Sequence, residues 1–470
     1  MSVLLLLAPF ALLIVLNVLP RSTQGAAWAV CLVLFVLQTA AAALFPFAVL
    51  DWTFLAPINE AVGFTLAVDN LGALLLGTAG LAGIAALLVG RATFEQPRAR
   101  FLFSCLLLVS LIGMNGIAMV RDLFSLYVFI EATSVAAFIL VPLRKGKDAF
   151  EGAWKYLILS AVASVLMLAS LGFFLLSAGG VSFDAAAAAL AAPTPFVWAA
   201  AALFVSGLFV KGAMVPFHGW LADAYTSAPP AVSVFLAGIV TKASGIFALI
   251  RLAPALIGAA GPAREIILIA GAVTAVGGAF LSLGQADMKR MLAWSSVSQM
   301  GYIVMALGGD PSLAVLAAGL HFFNHALSKA QLFANAAAIE NRLGTRDMDR
   351  MGGIAARMPL TGGTSAVASL SIAGLPPLAG FWSKLLIVLA LWRGGEQVFA
   401  IIAILTSLVT LAYFLSLQRR VFFGTVLPEW SAVQEAGPGF VVPALVLAAL
   451  TVIIGIGFPF LLPFLLGGGA

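Results

Sequence analysis

Five ionisable side chains stand where their neighbours give them no water. Lys211, Lys242, Lys329 and Lys384 each lie within an apolar stretch, and Glu131 sits between Tyr127-Val-Phe-Ile and Ala-Thr-Ser. A charge at the centre of a bilayer costs about 2.5–3.5 kcal/mol on insertion scales. Five of them oppose insertion by on the order of 10 kcal/mol, so they are expected to face a hydrated interior and one another. Snorkelling to the interface explains a lone lysine, but it explains a series poorly. The chemistry such a series suits is proton movement. Burial favours the neutral forms of amine and carboxyl alike, and an opposite charge nearby restores the charged ones. A lysine that gains or loses a carboxylate neighbour can therefore hold or release a proton. Glu131 beside Lys211 is the expected switchable pair, with Lys242 and Lys329 passing the proton onward and Lys384 near the exit.

Histidines extend the series. In His321-Phe-Phe-Asn-His325-Ala-Leu-Ser-Lys329, steps of four residues stack His321, His325 and Lys329 on one helix face, with Asn324 close by. Two histidines at i and i+4 also suit zinc, but no third ligand follows at a familiar spacing, and helix packing is the other ordinary reading. Histidine titrates nearest to neutral pH, which makes this face a plausible junction in a proton path. His218, beside a helix break, is a supporting candidate.

The elements that must position these groups are membrane helices. The chain has 470 residues, of which 63% are hydrophobic and 9% charged. Soluble domains carry about 25% charged residues, so a soluble enzyme is excluded. Apolar runs recur that are each long enough to cross a bilayer core of about 30 Å. They divide the chain into about fourteen spans, at roughly 3–20, 27–47, 66–90, 100–120, 123–142, 153–177, 196–217, 231–252, 264–284, 290–308, 312–338, 363–391, 397–418 and 440–465. The first lacks the basic leader and cleavage site of a signal peptide and is kept as a span. Fifteen of the 24 Lys and Arg fall in loops after odd-numbered spans, against Arg121, Arg251, Arg264 and Arg393 after even-numbered ones. The odd loops are therefore expected to be cytoplasmic, with both termini on the outer face of a bacterial or archaeal inner membrane. Asp287, Lys289 and Arg290 read as topology-setting charges, and Arg251 and Asp223 equally as loop anchors or gates. Cys31, Cys105 and three histidines cannot hold an iron–sulfur cluster plus a second metal site, so any redox centre is expected on a partner chain.

Two spans carry helix breakers beside a lysine. The seventh runs Lys211-Gly-Ala-Met-Val-Pro216-Phe-His218-Gly-Trp towards Pro229-Pro230, and the twelfth runs Gly374-Leu-Pro376-Pro377-Leu-Ala-Gly380-Phe-Trp-Ser-Lys384. Such breaks are tolerated at membrane depth only where protein or water satisfies the freed backbone. In corresponding positions of two halves they point to inverted repeats. The expected division is a three-helix segment at 1–99, five-helix repeats at 100–252 and 264–420, and a last helix within 421–470.

These segments, with Ala237-Gly-Ile-Val-Thr-Lys242, Asp287-Met-Lys-Arg-Met-Leu-Ala-Trp-Ser-Ser-Val-Ser-Gln-Met-Gly301-Tyr and Glu131, resemble the antiporter-like membrane subunits shared by three kinds of assembly. The three are respiratory complex I, the membrane-bound hydrogenases and formate hydrogenlyases, and Mrp-type cation/proton antiporters. The similarity covers about residues 100–420. It implies an all-α polytopic membrane protein of fourteen helices with two inverted five-helix repeats, broken at helices 7 and 12. It also implies a central axis in which Glu131, Lys211, Lys242, Lys329 and Lys384 relay protons. Other membrane subunits would be the partners, and iron–sulfur clusters, flavin or a Ni–Fe centre would sit on partner chains rather than on this one. The sequence stops at Ala470 without the long lateral helix of the largest members, which resembles the shorter M-, N- or D-type subunits. Lys384 replaces the Glu of one complex I subtype, which favours the subunit nearest the redox module or the hydrogenase and Mrp equivalents, and Glu131-Ala-Thr-Ser departs from the commoner Glu-Leu-Xaa-Ser, which tilts the resemblance slightly towards hydrogenase or Mrp types.

The leading expectation is thus a proton-translocating subunit with no bond chemistry of its own. A Na⁺-binding antiporter subunit is the alternative, but buried lysines outnumber buried carboxylates four to one, and a hard cation needs oxygen ligands. A small-solute carrier built on broken helices is a third reading. A passive scaffold leaves the buried charges unexplained, and no segment offers a distinctive quinone pocket.

Overall fold

The computed structural model describes residues 2–45, 53–57, 63–258 and 261–467. Residues 46–47, which end the second expected span, and 468–470 lie outside the described residues. The chain is built from helices α1 (Ser2–Val18), α2 (Ala27–Leu44), α3 (Asn70–Thr93), α4 (Pro97–Met119), α5 (Leu123–Leu140), α6 (Lys147–Ala178), α7 (Phe183–Ala191), α8 (Pro195–Lys211) and α9 (Gly219–Ser227). They continue as α10 (Pro230–Phe235), α11 (Ala248–Gly258), α12 (Ala263–Leu283), α13 (Met288–Leu307), α14 (Pro311–Leu343), α15 (Pro359–Ala373), α16 (Ala379–Arg393), α17 (Gln397–Leu417) and α18 (Pro438–Gly467). An antiparallel hairpin of β1 (Thr53–Pro57) and β2 (Gly63–Ala67) precedes α3. Among the described residues, nine helices are long and apolar enough to cross a membrane.

Local chemistry sets where these helices start. Asp69, Asp122 and Asp287 cap α3, α5 and α13 by accepting from the amides of Gly72, Ser125 and Arg290 at 2.7, 2.7 and 3.0 Å. Each satisfies a donor that the first turn leaves without an intrahelical partner. Capping residues in loops between apolar runs are thus part of what positions the spans.

The helices sort by exposure. Leu176 on α6 is 88% exposed and Val398 on α17 is 68% exposed, with many apolar neighbours alike. Such contiguous apolar surface belongs against lipid. Residues 230–250, by contrast, are buried throughout, and α13 and the middle of α14 are nearly so. The most polar spans are therefore the innermost ones, an inverted arrangement in which the ring of outer helices supplies the apolar solvent contact.

Five features depart from the sequence expectations. The span around Lys242 was expected to be regular, but it passes through two π-helical turns, Leu236–Val240 and Lys242–Phe247. The hairpin and the short helix α7 were not anticipated, being brief elements inside loops. Arg251 is not a loop residue: it lies in α11 and reaches Asp69 with both terminal guanidinium nitrogens, at 2.8 and 3.1 Å. Lys289, read as a topology charge, is buried in α13, because its stem packs between helices while the amine finds partners.

Candidate functional site

The first half of the site assembles where α5, α6 and α8 meet. Lys211 is the last residue of α8, and its Nζ lies 2.7 Å from Glu131 Oε1 on α5. It also donates to Ser134 Oγ at 3.0 Å and to Ser160 Oγ at 2.6 Å. The lysine side chain is 1% exposed and the glutamate 24%. Three partners surround the ammonium, one of them an opposite charge, which is what a buried charge requires to persist. Beyond Lys211 the chain breaks across residues 212–218, with a cis Val215–Pro216 bond. Pro216 itself faces outward. His218, also in the break, packs its ring 5.4 Å from that of Trp294 and leaves Nδ1 buried without a partner. Among the described residues no hydrogen bond or ion pair joins it to Lys211, Lys242, Lys329 or Lys384.

Lys242 follows through close packing. A Cβ on Gly245 would lie 2.3 Å from Gly212 N, so only glycine lets the π-helical segment lie against the start of the break. The π turn widens the helix and leaves carbonyls turned inward. Lys242 uses two of them, donating to Ala237 O and, at 3.2 Å, to Gly238 O.

The second half is organised by α14. Lys329 donates to Leu292 O at 2.8 Å and to Ser295 Oγ, and its Nζ is 5.8 Å from the Phe414 ring centroid. The His321 and His325 rings are nearly parallel, 6.3 Å apart, as the four-residue spacing leads one to expect. His321 Nδ1 meets Ser383 Oγ at 3.0 Å and Nε2 meets Gln299 Oε1 at 3.1 Å. Ser383 Oγ also donates to Gly380 O at 3.0 Å, so a serine hydroxyl and the Gln299 amide hold the His321 ring on its two sides. Both nitrogens of His325 are buried without a protein partner.

Lys384 lies in α16, past the second break, where Gly374 takes φ +91° and Pro376–Pro377 is cis. Its Nζ donates to Ser407 Oγ at 3.1 Å and sits 4.5 Å from the Tyr302 ring centroid, a cation–π position. Pro376 and Pro377 face outward, as Pro216 does. The geometry thus pairs Glu131 with Lys211 and holds Lys242, Lys329 and Lys384 by carbonyls, hydroxyls and rings. Among the described residues none of these three meets a carboxylate within ion-pair distance. Nor do three His, Cys, Asp or Glu side chains converge there as a metal set.

The charged groups outside the membrane segregate. Arg144, Lys145, Lys147, Arg290 and Arg346 line one cavity of about 530 Å³ with Asp223, which takes Lys155 at 2.7 Å and Arg290 at 2.9 Å. Asp69, Arg121 and Arg251 form a separate cluster. There burial pushes the Asp69 carboxyl up, but the Arg251 hydrogen bonds and charge, the Gly72 amide and Arg121 together outweigh it and hold the carboxyl below its ordinary value. Asp223 and Arg251 are thus both held in ion pairs.

Sequence reasoning missed the hydroxyls that hold the amines. Ser134 is legible afterwards, one helical turn from Glu131, and Ser383 adjoins Lys384. Ser160, Ser295 and Ser407 come from other helices, and no spacing along the chain gives them. It also missed Lys289 and Glu340, whose Nζ and Oε2 stand 3.8 Å apart.

Residues 120–410, which include all five of the charges, match the family described as NADH:quinone oxidoreductase/Mrp antiporter membrane segment. The chain belongs to this antiporter family. NADH-quinone oxidoreductase subunit N of Desulforudis audaxviator is 35% identical over 414 residues, 84% of this chain and 82% of that protein. The D-type subunit of the Na(+)/H(+) antiporter of Alkalihalophilus pseudofirmus is 28% identical over 396 residues, 84% of this chain and 80% of that one. In fold, a chain of the Mrp complex from Dietzia sp. DQ12-45-1b superposes with a TM-score of 0.90 at 24% identity, covering 99% of this chain and 96% of that one. This antiporter-family chain is an integral membrane protein, and its mostly helical, polytopic architecture is that of its structural neighbours.

Proposed function

We propose that this chain is the proton-translocating membrane subunit of a multisubunit assembly and that Glu131, Lys211, Lys242, Lys329 and Lys384 carry the proton, with His321 and His325 between the last two. The observation that carries this reading is the Glu131–Lys211 ion pair at 2.7 Å, its lysine buried, followed by amines that meet no carboxylate among the described residues. Two unit charges about 4 Å apart attract by about 4 kcal/mol at an effective dielectric of 20, so adding or removing that attraction decides where a proton rests. A proton arriving on Glu131 neutralises the carboxylate. Lys211 then keeps only Ser134 and Ser160, and its ammonium gives up a proton towards Lys242. The neutral amine takes the proton back from Glu131, and the ion pair returns with one proton advanced.

The same reading completes the architecture. Beside the nine long apolar helices, we count α1, α8, α13, α14 and the α15–α16 pair as spans, giving fourteen. The first two are short, and the other three carry the polar residues of the axis. Helices α4–α11 and α12–α17 are the two inverted repeats, following the divisions 1–99, 100–252, 264–420 and 421–470 to within a few residues. The arginine-rich loops face the cytoplasm of a bacterial or archaeal inner membrane and both termini face outward. Partners are further membrane subunits, as the names of the relatives suggest. Any iron–sulfur, flavin or Ni–Fe centre belongs to those partners.

The likeness to a Na(+)/H(+) antiporter subunit and to a chain of an Mrp complex favours one alternative, a cation/proton antiporter. Purification in mild detergent with assay of metals and flavin separates the two assemblies. Vesicles then read the ion: proton flux lost in Lys211→Ala, with ²²Na⁺ uptake at background, supports the proton path. Sodium uptake that disappears in Glu131→Gln supports the alternative, and unchanged proton flux in both variants rejects the relay.

A further inference from the structure

We propose that Lys289 and Glu340 form a gate through which protons reach Lys329 from the face that carries the arginine-rich loops. This rests on the proton-path reading and adds to it the groups that join the axis to outside water. The Lys289 side chain is 1% exposed and that of Glu340 is 23% exposed. Their 3.8 Å separation is an ion-pair distance but longer than a hydrogen bond, and Glu340 Oε2 has no hydrogen-bond partner. The Lys289 amine instead donates to Ala228 O at 2.8 Å, where α9 stops before Pro229-Pro230. Glu340 lines a cavity of about 630 Å³ with Asp287, Thr345, Arg346 and Asp347. One member of the pair thus faces water and the other faces protein.

The inner end is equally marked. Glu340 follows Lys329 by eleven residues on α14, which is three turns and about 16 Å along the same face. Lys329 donates to Leu292 O, one turn beyond Lys289 on α13. Elsewhere on α14, Ser328 Oγ, Gln331 Oε1 and Asn335 Nδ2 are buried without partners among the described residues, and Gln331 and Asn335 turn to Thr364 of α15. Orphaned polar atoms of this kind in native interiors are satisfied by water, and here they offer sites for water on the stretch of α14 that carries Lys329. The other charges around the pair are Arg346, held by Asp287 at 3.1 Å, and Arg144 across the neighbouring cavity.

The step balances simply. The Lys289 ammonium releases a proton inward to water leading to the Lys329 amine and becomes neutral. Glu340 accepts a proton from a hydronium ion in the cavity, leaving water. The carboxylic acid then passes that proton to the Lys289 amine, which restores the ion pair with one proton moved from cavity to axis.

The test uses vesicles containing the assembly, an imposed pH step and entrapped pyranine, with co-assembly of each variant measured. Glu340→Gln, which keeps the side chain's shape, is expected to cut flux per assembled complex by about tenfold or more. Glu340→Asp should keep most of it. Glu340→Cys should be inactive until iodoacetate alkylates the thiol, releasing iodide and returning a carboxylate to the site; the native Cys31 and Cys105 are buried. Wild-type flux in both Glu340→Gln and Lys289→Met, with Lys211→Ala inactive, would overturn the gate and leave the path standing. Loss of assembly in Glu340→Gln with unchanged flux per complex would overturn it too, because the pair would then only fasten α9 to α13 and α14. Wild-type flux in Lys211→Ala would reject the path and the gate together.

Discussion

The two halves of the polar axis hold their lysines by different means. Around Lys211 stand a carboxylate and two hydroxyls. Around Lys329 and Lys384 there are carbonyls, hydroxyls and aromatic faces. The first arrangement favours a charged amine whenever Glu131 is ionised, and the second gives the amine no fixed counter-charge. In the proposed relay, a proton at the first site is held or released by what happens to one carboxylate. At the second it would be shared among amines and two imidazoles, one of which has no protein partner at either nitrogen among the described residues. On that reading the first half is a switch and the second a conduit.

The most severe way to break this contrast is to remove the switch. Lys211→Ala is expected to lower proton flux in vesicles by about tenfold or more, with normal co-purification of partners as the control. Next comes making the conduit resemble the switch. Ser295→Asp puts a carboxylate against Lys329, traps its proton, and is expected to slow flux by roughly tenfold at neutral pH while leaving assembly unchanged. A smaller effect follows from trimming the switch: Ser134→Ala removes one donor's partner, worth about 1 kcal/mol, and should change flux by about fivefold. Gly374→Ala sharpens the second half. A side chain at φ +91° is strained, and its Cβ would lie 3.0 Å from Lys384 Cδ. A loss of about 1–2 kcal/mol is expected in thermal unfolding, with a lesser change in flux.

The smallest expected effect lies outside the axis. Asp69 has its carboxyl held below the ordinary value in the folded state. Its contribution to stability is complete above the unfolded pKa of about 3.9 and is lost as pH falls through the lower folded value. Asp69→Asn should therefore be slightly less stable than the parent at neutral pH, and the gap should close only below about pH 4. The carboxylate is 45% exposed, so solvent screening keeps the gap small. Melting curves at neutral and acid pH would check it.

The sequence made the expensive residues visible and left their partners hidden. A lysine inside an apolar run needs a reason whatever the fold, and so Glu131 and the four axial lysines stand out from residue type and neighbours alone. The i, i+4, i+8 face of His321, His325 and Lys329 followed from helix geometry, and both proline breaks followed from backbone chemistry. Ser160, Ser295 and Ser407 are ordinary residues whose importance comes only from three-dimensional proximity. Lys289 misled for a related reason: two residues from a capping Asp and beside an arginine, it reads as a loop charge, yet its amine turns inward. The π turns at Lys242 leave no sequence periodicity to read, since they widen the helix by one residue at a time.

The switch is tested most directly by proton flux through vesicles holding the assembled complex with Glu131→Gln, a change that keeps shape and removes only the charge that governs Lys211. A carboxylate that switches the lysine predicts a fall of about tenfold or more per assembled complex. Flux equal to the parent's, with the variant fully assembled, would contradict it.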